Sequence, residues 1–84
     1  MNATWLAEVC NGAVNDCGGE CYIDIMLNNG QTFELVVERK AVNEEHHILQ
    51  ARNIKGEERY YIFDTDQIVA YSFDERDMDH PNRF

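Results

Sequence analysis

From Tyr22 onward the chain alternates, with Ile23, Ile25 and Leu27 on one side and Tyr22, Asp24 and Met26 on the other, which is the period of a strand. Asn29-Gly30 follows, and both residues tolerate the positive φ that a two-residue hairpin loop requires. Phe33, Leu35 and Val37 then resume the apolar side, while Thr32, Glu34, Val36 and Glu38 take the other. The spacing predicts an antiparallel hairpin. Residues 39–46 are polar and charged, either a loop or the continuation of a strongly bent strand. A weaker strand with mixed faces is expected over 48–54 and a turn at Lys55-Gly56-Glu57-Glu58. Arg59-Tyr60-Tyr61-Ile62-Phe63 is rich in strand-forming aromatic residues, Asp64-Thr65-Asp66-Gln67 reads as a tight corner, and Ile68 to Phe73 as a last strand.

Upstream, Thr4 is expected to cap a short helix whose apolar patch is Trp5, Leu6 and Val9, with Asn11-Gly12 ending it. An edge strand over the same residues is the alternative. Asp16-Cys17-Gly18-Gly19 is a loop signal. Five short strands joined by tight turns are too many for one flat, stable sheet. They call for a sheet bent into a barrel, or for edges paired between subunits. The expected fold is mainly β, a small, strongly bent five-stranded barrel with a short N-terminal helix. The helix and its loop occupy residues 1–21, the barrel 22–74, and an acidic flexible tail with four acids and one proline 75–84, counting the tail's acids from Asp74.

An 84-residue chain forms one domain, and at 44 % apolar residues it has material for a small core. A domain of this size leaves much apolar surface exposed, which favours pairing with copies of itself. The net charge of −9, from 16 acidic and 7 basic residues, repels phosphate backbones unless the cations gather on one face. Arg39, Lys40, Arg52 and Lys55 are the only set able to form such a rim, so direct nucleic-acid binding is disfavoured. No apolar run is long enough to cross a bilayer, and the start of the chain lacks a basic region followed by an apolar one. The expected location is cytoplasmic, with no membrane partner.

Cys10, Cys17 and Cys21 are an odd number, with six and then three residues between them, so they read as reduced thiols, neither a complete disulfide framework nor a zinc knuckle. No cofactor is expected. Glu44-Glu45-His46-His47 is the densest set of metal-capable side chains, but neighbours on a strand point to opposite faces, which favours a solvated loop. Asp24 and Glu34 can face each other across the hairpin as paired carboxylates, an arrangement that is more often simply solvated. No Ser/His/Asp or Cys/His set can be placed by spacing and no glycine-rich phosphate loop occurs, so an enzyme is not expected. Tyr60, Tyr61, Phe63, Tyr71 and Phe73 suit core packing and subunit contacts better than base stacking, because stacking platforms come with a positive groove.

The order of elements resembles the Sm-like family of small SH3-like barrels. Ile25, Leu27, Asn29 and Gly30 resemble its first motif, and Ile62 with Ile68-Val69-Ala70-Tyr71 its second, over roughly residues 20 to 74. The resemblance implies a homo-oligomeric ring closed by pairing the strand at 59–63 of one copy with the strand at 68–73 of the next. Tyr60, Tyr61, Ile62, Phe63, Ile68, Val69, Tyr71 and Phe73 would then form the subunit interface. Family members hold RNA through an Asp and an Asn in the first motif and basic residues in the second. Here Ala41 and Glu45 stand at the first pair and Asp64-Thr65 at the second, so the resemblance implies a ring without the RNA chemistry. A shift of two residues brings Asn43 to the first pair and supplies no cation.

The leading expectation is a non-catalytic binding or scaffold protein that acts through itself or another protein. The alternatives are an acidic inhibitor that imitates nucleic acid, with Asp64, Asp66, Asp74, Glu75, Asp77 and Asp79 in a row, or residual RNA binding by the ring.

Overall fold

A computed structural model describes residues 1–55 and 59–73. All but Lys55 of the turn expected at 55–58 lies outside the described residues, as do the acidic tail and His80. The chain order is α1 (Ala3–Asp16), β1 (Glu20–Leu27), β2 (Thr32–Glu38), β3 (Val42–Asn43), β4 (Ile48–Asn53), β5 (Tyr60–Asp64), a 3-10 turn (Thr65–Gln67) and β6 (Ile68–Phe73).

The helix is longer than its expected stop at Asn11-Gly12. Leu6, Cys10, Ala13 and Val14 recur at helical spacing and are all buried, so the core-facing stripe carries the helix past Gly12, which lies on the exposed side. Asn2, not Thr4, is the cap: its side-chain oxygen accepts from the Trp5 backbone N–H at 3.0 Å. Trp5 is 53 % exposed and Leu6 is fully buried, so the expected apolar patch is rotated by about one residue. At the other end Gly18 takes φ +84°, Gly19 N–H donates to Val14 O at 2.9 Å, and Gly18 N–H donates to Asn15 O at 3.4 Å. Those two bonds are the glycine-terminated closure that satisfies the last carbonyls of a helix.

All strand pairs are antiparallel and belong to one six-stranded sheet. The sheet is open rather than a closed five-stranded barrel. The sixth strand arises because the bent segment after β2 breaks at Arg39-Lys40, where Lys40 adopts φ +63°, before β3 resumes the pairing. β2 and β3 pair with successive parts of β4, while β5 runs along β4 from Ile48 to Arg52 on its other side. The resulting order runs β6, β1, β2 with β3, β4, β5, and its two ends, β5 and β6, are consecutive in sequence. The 3-10 turn joins them, not a hairpin.

The β1–β2 hairpin has the expected faces, with Ile23 opposite Leu35 and Ile25 opposite Phe33. Its loop differs. Leu27 N–H donates to Gln31 O at 2.8 Å and Gly30 N–H to Leu27 O at 2.9 Å, enclosing three residues with only Gly30 in the left-handed region, φ +87°. Asn29 contributes its side chain, which accepts from Gln31 N–H at 2.9 Å. Cys21, Ile23, Ile25, Leu35, Val37, Leu49, Ala51 and Ile68 close the core beneath α1.

Candidate functional site

The two ends of the sheet carry exposed apolar side chains. On β5, Tyr60 and Ile62 stand opposite Arg52 and Gln50 on the outer face and are 48 % and 64 % exposed. On β6, Met26 and Leu27 of β1 pair with Ala70 and Ile68, so the bulge leaves Val69 as the extra residue, 55 % exposed. Among the described residues, three of the five exposed large hydrophobic residues thus lie on the terminal strands, Trp5 and Met26 being the others. The core-facing aromatics of the same strands are half-buried. Phe63 meets Phe33 edge to face at 5.0 Å, and Tyr71 meets Phe73 at 5.6 Å. Of the eight residues expected at a subunit interface, Ile68 is 1 % exposed and belongs to the core. The other seven lie on the two ends with some surface to offer.

Two corners meet at one end of the molecule. The turn over residues 44–47 reverses the chain between β3 and β4, with Asn43 accepting from His46 N–H at 2.9 Å and His47 at φ +55°. Its His47 carbonyl accepts from Thr65 N–H at 2.9 Å, and His47 Nδ1 stands 4.0 Å from Asp66 Oδ1. Asp64 caps the 3-10 turn by accepting from Asp66 N–H at 2.9 Å. These juxtaposed segments hold Glu44, Glu45, Asp64 and Asp66, with neither Lys nor Arg in them. Ala41 is buried and Glu45 exposed. Among the described residues no three His, Cys, Asp or Glu side chains gather as metal ligands.

Of the four cations read as a possible rim, Arg39 and Lys40 line a concavity with Glu38 and Tyr60, the residues that Arg52 also meets. Arg39 and Lys40 form the turn between β2 and β3, whereas Lys55 lines a separate concavity with Thr32, Phe33, Glu34, Asn53 and Ile54. Arg52 is occupied on the outer face of the sheet. Its Nη2 donates to Glu20 Oε2 at 2.9 Å and its Nε lies 3.4 Å from Glu38 Oε1. Tyr60 Oη donates to the same Glu38 oxygen at 2.9 Å. The hydrogen bond to Glu38, reinforced by that carboxylate's charge, raises the Tyr60 pKa above the ordinary tyrosine value. Beneath this cluster Val36 is only 6 % exposed despite lying on the outer face, because its direct partners are Tyr22 and Arg52. The turn residues 28–30 fix Glu20 opposite Glu38, but Arg52 joins them only through a long-range register that no local spacing announces.

Asp24 and Glu34 are direct partners across the hairpin. Both are exposed, and with Met26, Thr32, Ala70 and Ser72 they border a shallow concavity of about 410 Å³ on the outer face. No helix is long and apolar enough to cross a membrane among the described residues. No family model, curated protein or solved structure matches this chain, which leaves its own residues to carry the functional reading.

Proposed function

We propose that this chain is a divergent Sm-like subunit that assembles into a homo-oligomeric ring and serves as a non-catalytic, protein-binding scaffold. One observation carries the reading: Tyr60, Ile62 and Val69 expose apolar surface on the two strands that end the sheet, each of which pairs with a single neighbour. Pairing β5 of one copy with β6 of the next is a head-to-tail contact, and a repeated contact of that kind closes a ring when its rotation permits. It would satisfy the free backbone edges and cover the half-buried aromatics of both strands. The bent β2–β3 segment and the 3-10 corner before β6 support the same architecture, with β2 and β3 acting as one interrupted strand. RNA is not the proposed cargo. The corners at 44–47 and 64–66, which the resemblance would make the RNA site, present four carboxylates.

The test is absolute mass in solution by light scattering behind a sizing column, at low and high salt. A single mass several times that of the chain at both salts is expected, and Ile62→Lys combined with Val69→Lys, which sets like charges on the two strands of the contact, reduces it to the monomer. A wild-type monomer at both salts overturns the ring. The second reading, an acidic imitator of nucleic acid, draws on those four carboxylates and the net charge of −9. It requires a monomer that binds basic proteins with steep salt dependence.

A further inference from the structure

The corner between α1 and β1 brings two thiols together. Cys17 is the C-terminal cap of the helix, fixed by its N–H to Ala13 O at 2.9 Å, and Cys21 sits in β1 opposite Val37. Between them Gly18 and Gly19 both take positive φ, +84° and +130°, and so reverse the chain within two residues. The outcome is a Cys17 Sγ–Cys21 Sγ separation of 2.9 Å, with the Cys17 thiol donating to the Cys21 sulfur. A disulfide closes at about 2.05 Å, so a small adjustment of the two side chains spans the difference. The neighbouring glycines leave the intervening backbone free to accommodate it.

We propose that Cys17 and Cys21 form a reversible dithiol–disulfide couple, a modification site for low-molecular-weight disulfides of the glutathione class. The three thiols divide the work by position. Cys17 is partly exposed and meets the reagent, whereas Cys21 is fully buried directly behind it and resolves the adduct. Cys10 is 1 % exposed, burial pushes its pKa up to about 12, and the sulfur set against Cys17 is that of Cys21, so Cys10 stays a spectator. In the first step the Cys17 thiolate attacks one sulfur of the reagent R–S–S–R. The Cys17–S–R bond forms, the reagent's S–S bond breaks, and R–S⁻ leaves and takes up the proton lost by Cys17. In the second step the Cys21 thiolate attacks Cys17 Sγ and expels the other R–S⁻, which takes the Cys21 proton. The protein loses two hydrogens and one reagent disulfide becomes two thiols. Oxidation fastens the end of the helix that roofs the core to the first strand of the sheet. This inference is independent of the ring.

The full native chain, incubated with graded ratios of reduced to oxidised glutathione, is quenched in acid, unfolded, alkylated and read by intact mass and peptide mapping. The expected result is loss of two of the three alkylatable thiols, with a Cys17–Cys21 link in the map and Cys10 alkylated. Cys10→Ser should lose the same two. Cys17→Ser changes a partly exposed position that tolerates a hydroxyl, and it should keep both remaining thiols under the same ratios. Retention of all three thiols across the series overturns the proposal, as does a link through Cys10 or one between two copies of the chain.

Discussion

Glu20 and Glu38 face each other as direct partners across β1 and β2, and Arg52 reaches both from β4. Like charges placed directly opposite on a sheet are destabilising, so the guanidinium does more than add two ion pairs. The Arg52 side chain is 28 % exposed, against 55 % for Glu20 and 43 % for Glu38, which leaves the carboxylates substantially screened by water. Two partly exposed pairs at about 0.2–1 kcal/mol each, with the released repulsion, put the cost of Arg52→Met at about 1–2 kcal/mol. Urea denaturation checks this. Adding Glu20→Gln to Arg52→Met should recover part of the loss, and high salt should narrow the gap between wild type and the single variant.

The same cluster gives a prediction in alkaline solution. Tyr60 donates to Glu38, and this bond holds the phenol protonated beyond the tyrosine pKa of about 10. A folded-state pKa above the unfolded one means that the contribution of the bond to stability is complete below the unfolded value and is lost as the pH rises through the folded one. Tyr60→Phe should therefore be less stable than wild type near neutrality, with the difference shrinking as the solution becomes strongly alkaline. A spectrophotometric titration of Glu38→Gln should show one tyrosine ionising at lower pH than in wild type. An unchanged profile would mean that the bond does not hold the proton.

In the helix, adjacent apolar residues should behave oppositely. Leu6 is fully buried in the core cluster and Trp5 is 53 % exposed. Leu6→Ala removes packed atoms and leaves a cavity, for an expected loss of about 2–5 kcal/mol. Trp5→Ala should stay within about 0.5 kcal/mol of wild type, as surface substitutions usually do. Chemical denaturation followed by circular dichroism distinguishes the two without relying on the fluorescence of the single tryptophan.

These contrasts show which features local pattern could reach. The alternation on either side of Asn29-Gly30 carried the faces of β1 and β2, because a period of two is set by the backbone itself. Helix length was hidden: Gly12 and Asn11 look like a stop when only neighbours are read, whereas the buried stripe through Ala13 and Val14 overrides them. The break between β2 and β3 depends on Lys40 adopting a left-handed conformation, for which its residue type gives no warning. The apolar character of 59–63 and 68–73 was plain in the sequence. That Ile68 turns inward while Val69 turns out required the bulge against Met26 and Leu27. Arg52 read as a free cation because its partners lie 32 and 14 positions away along the chain.

One chemical change made at two glycines should have opposite effects. Gly12 lies inside α1 and Gly18 just past its end, and a methyl group added at either meets nothing within 4 Å, so packing drops out of the comparison. At Gly12 the backbone is helical and alanine is the better helix former, because it has less conformational entropy to lose on folding. Gly12→Ala should stabilise the protein by about 0.5–1 kcal/mol. At Gly18 the backbone holds φ +84°, where a Cβ crowds the following carbonyl, and Gly18→Ala should cost about 1–2 kcal/mol. Asparagine tolerates this region better, so Gly18→Asn should fall between alanine and wild type. Urea midpoints of the three variants measure the order. If Gly18→Ala matched wild type, the left-handed closure that sets Cys17 against Cys21 would not be the conformation the chain adopts in solution.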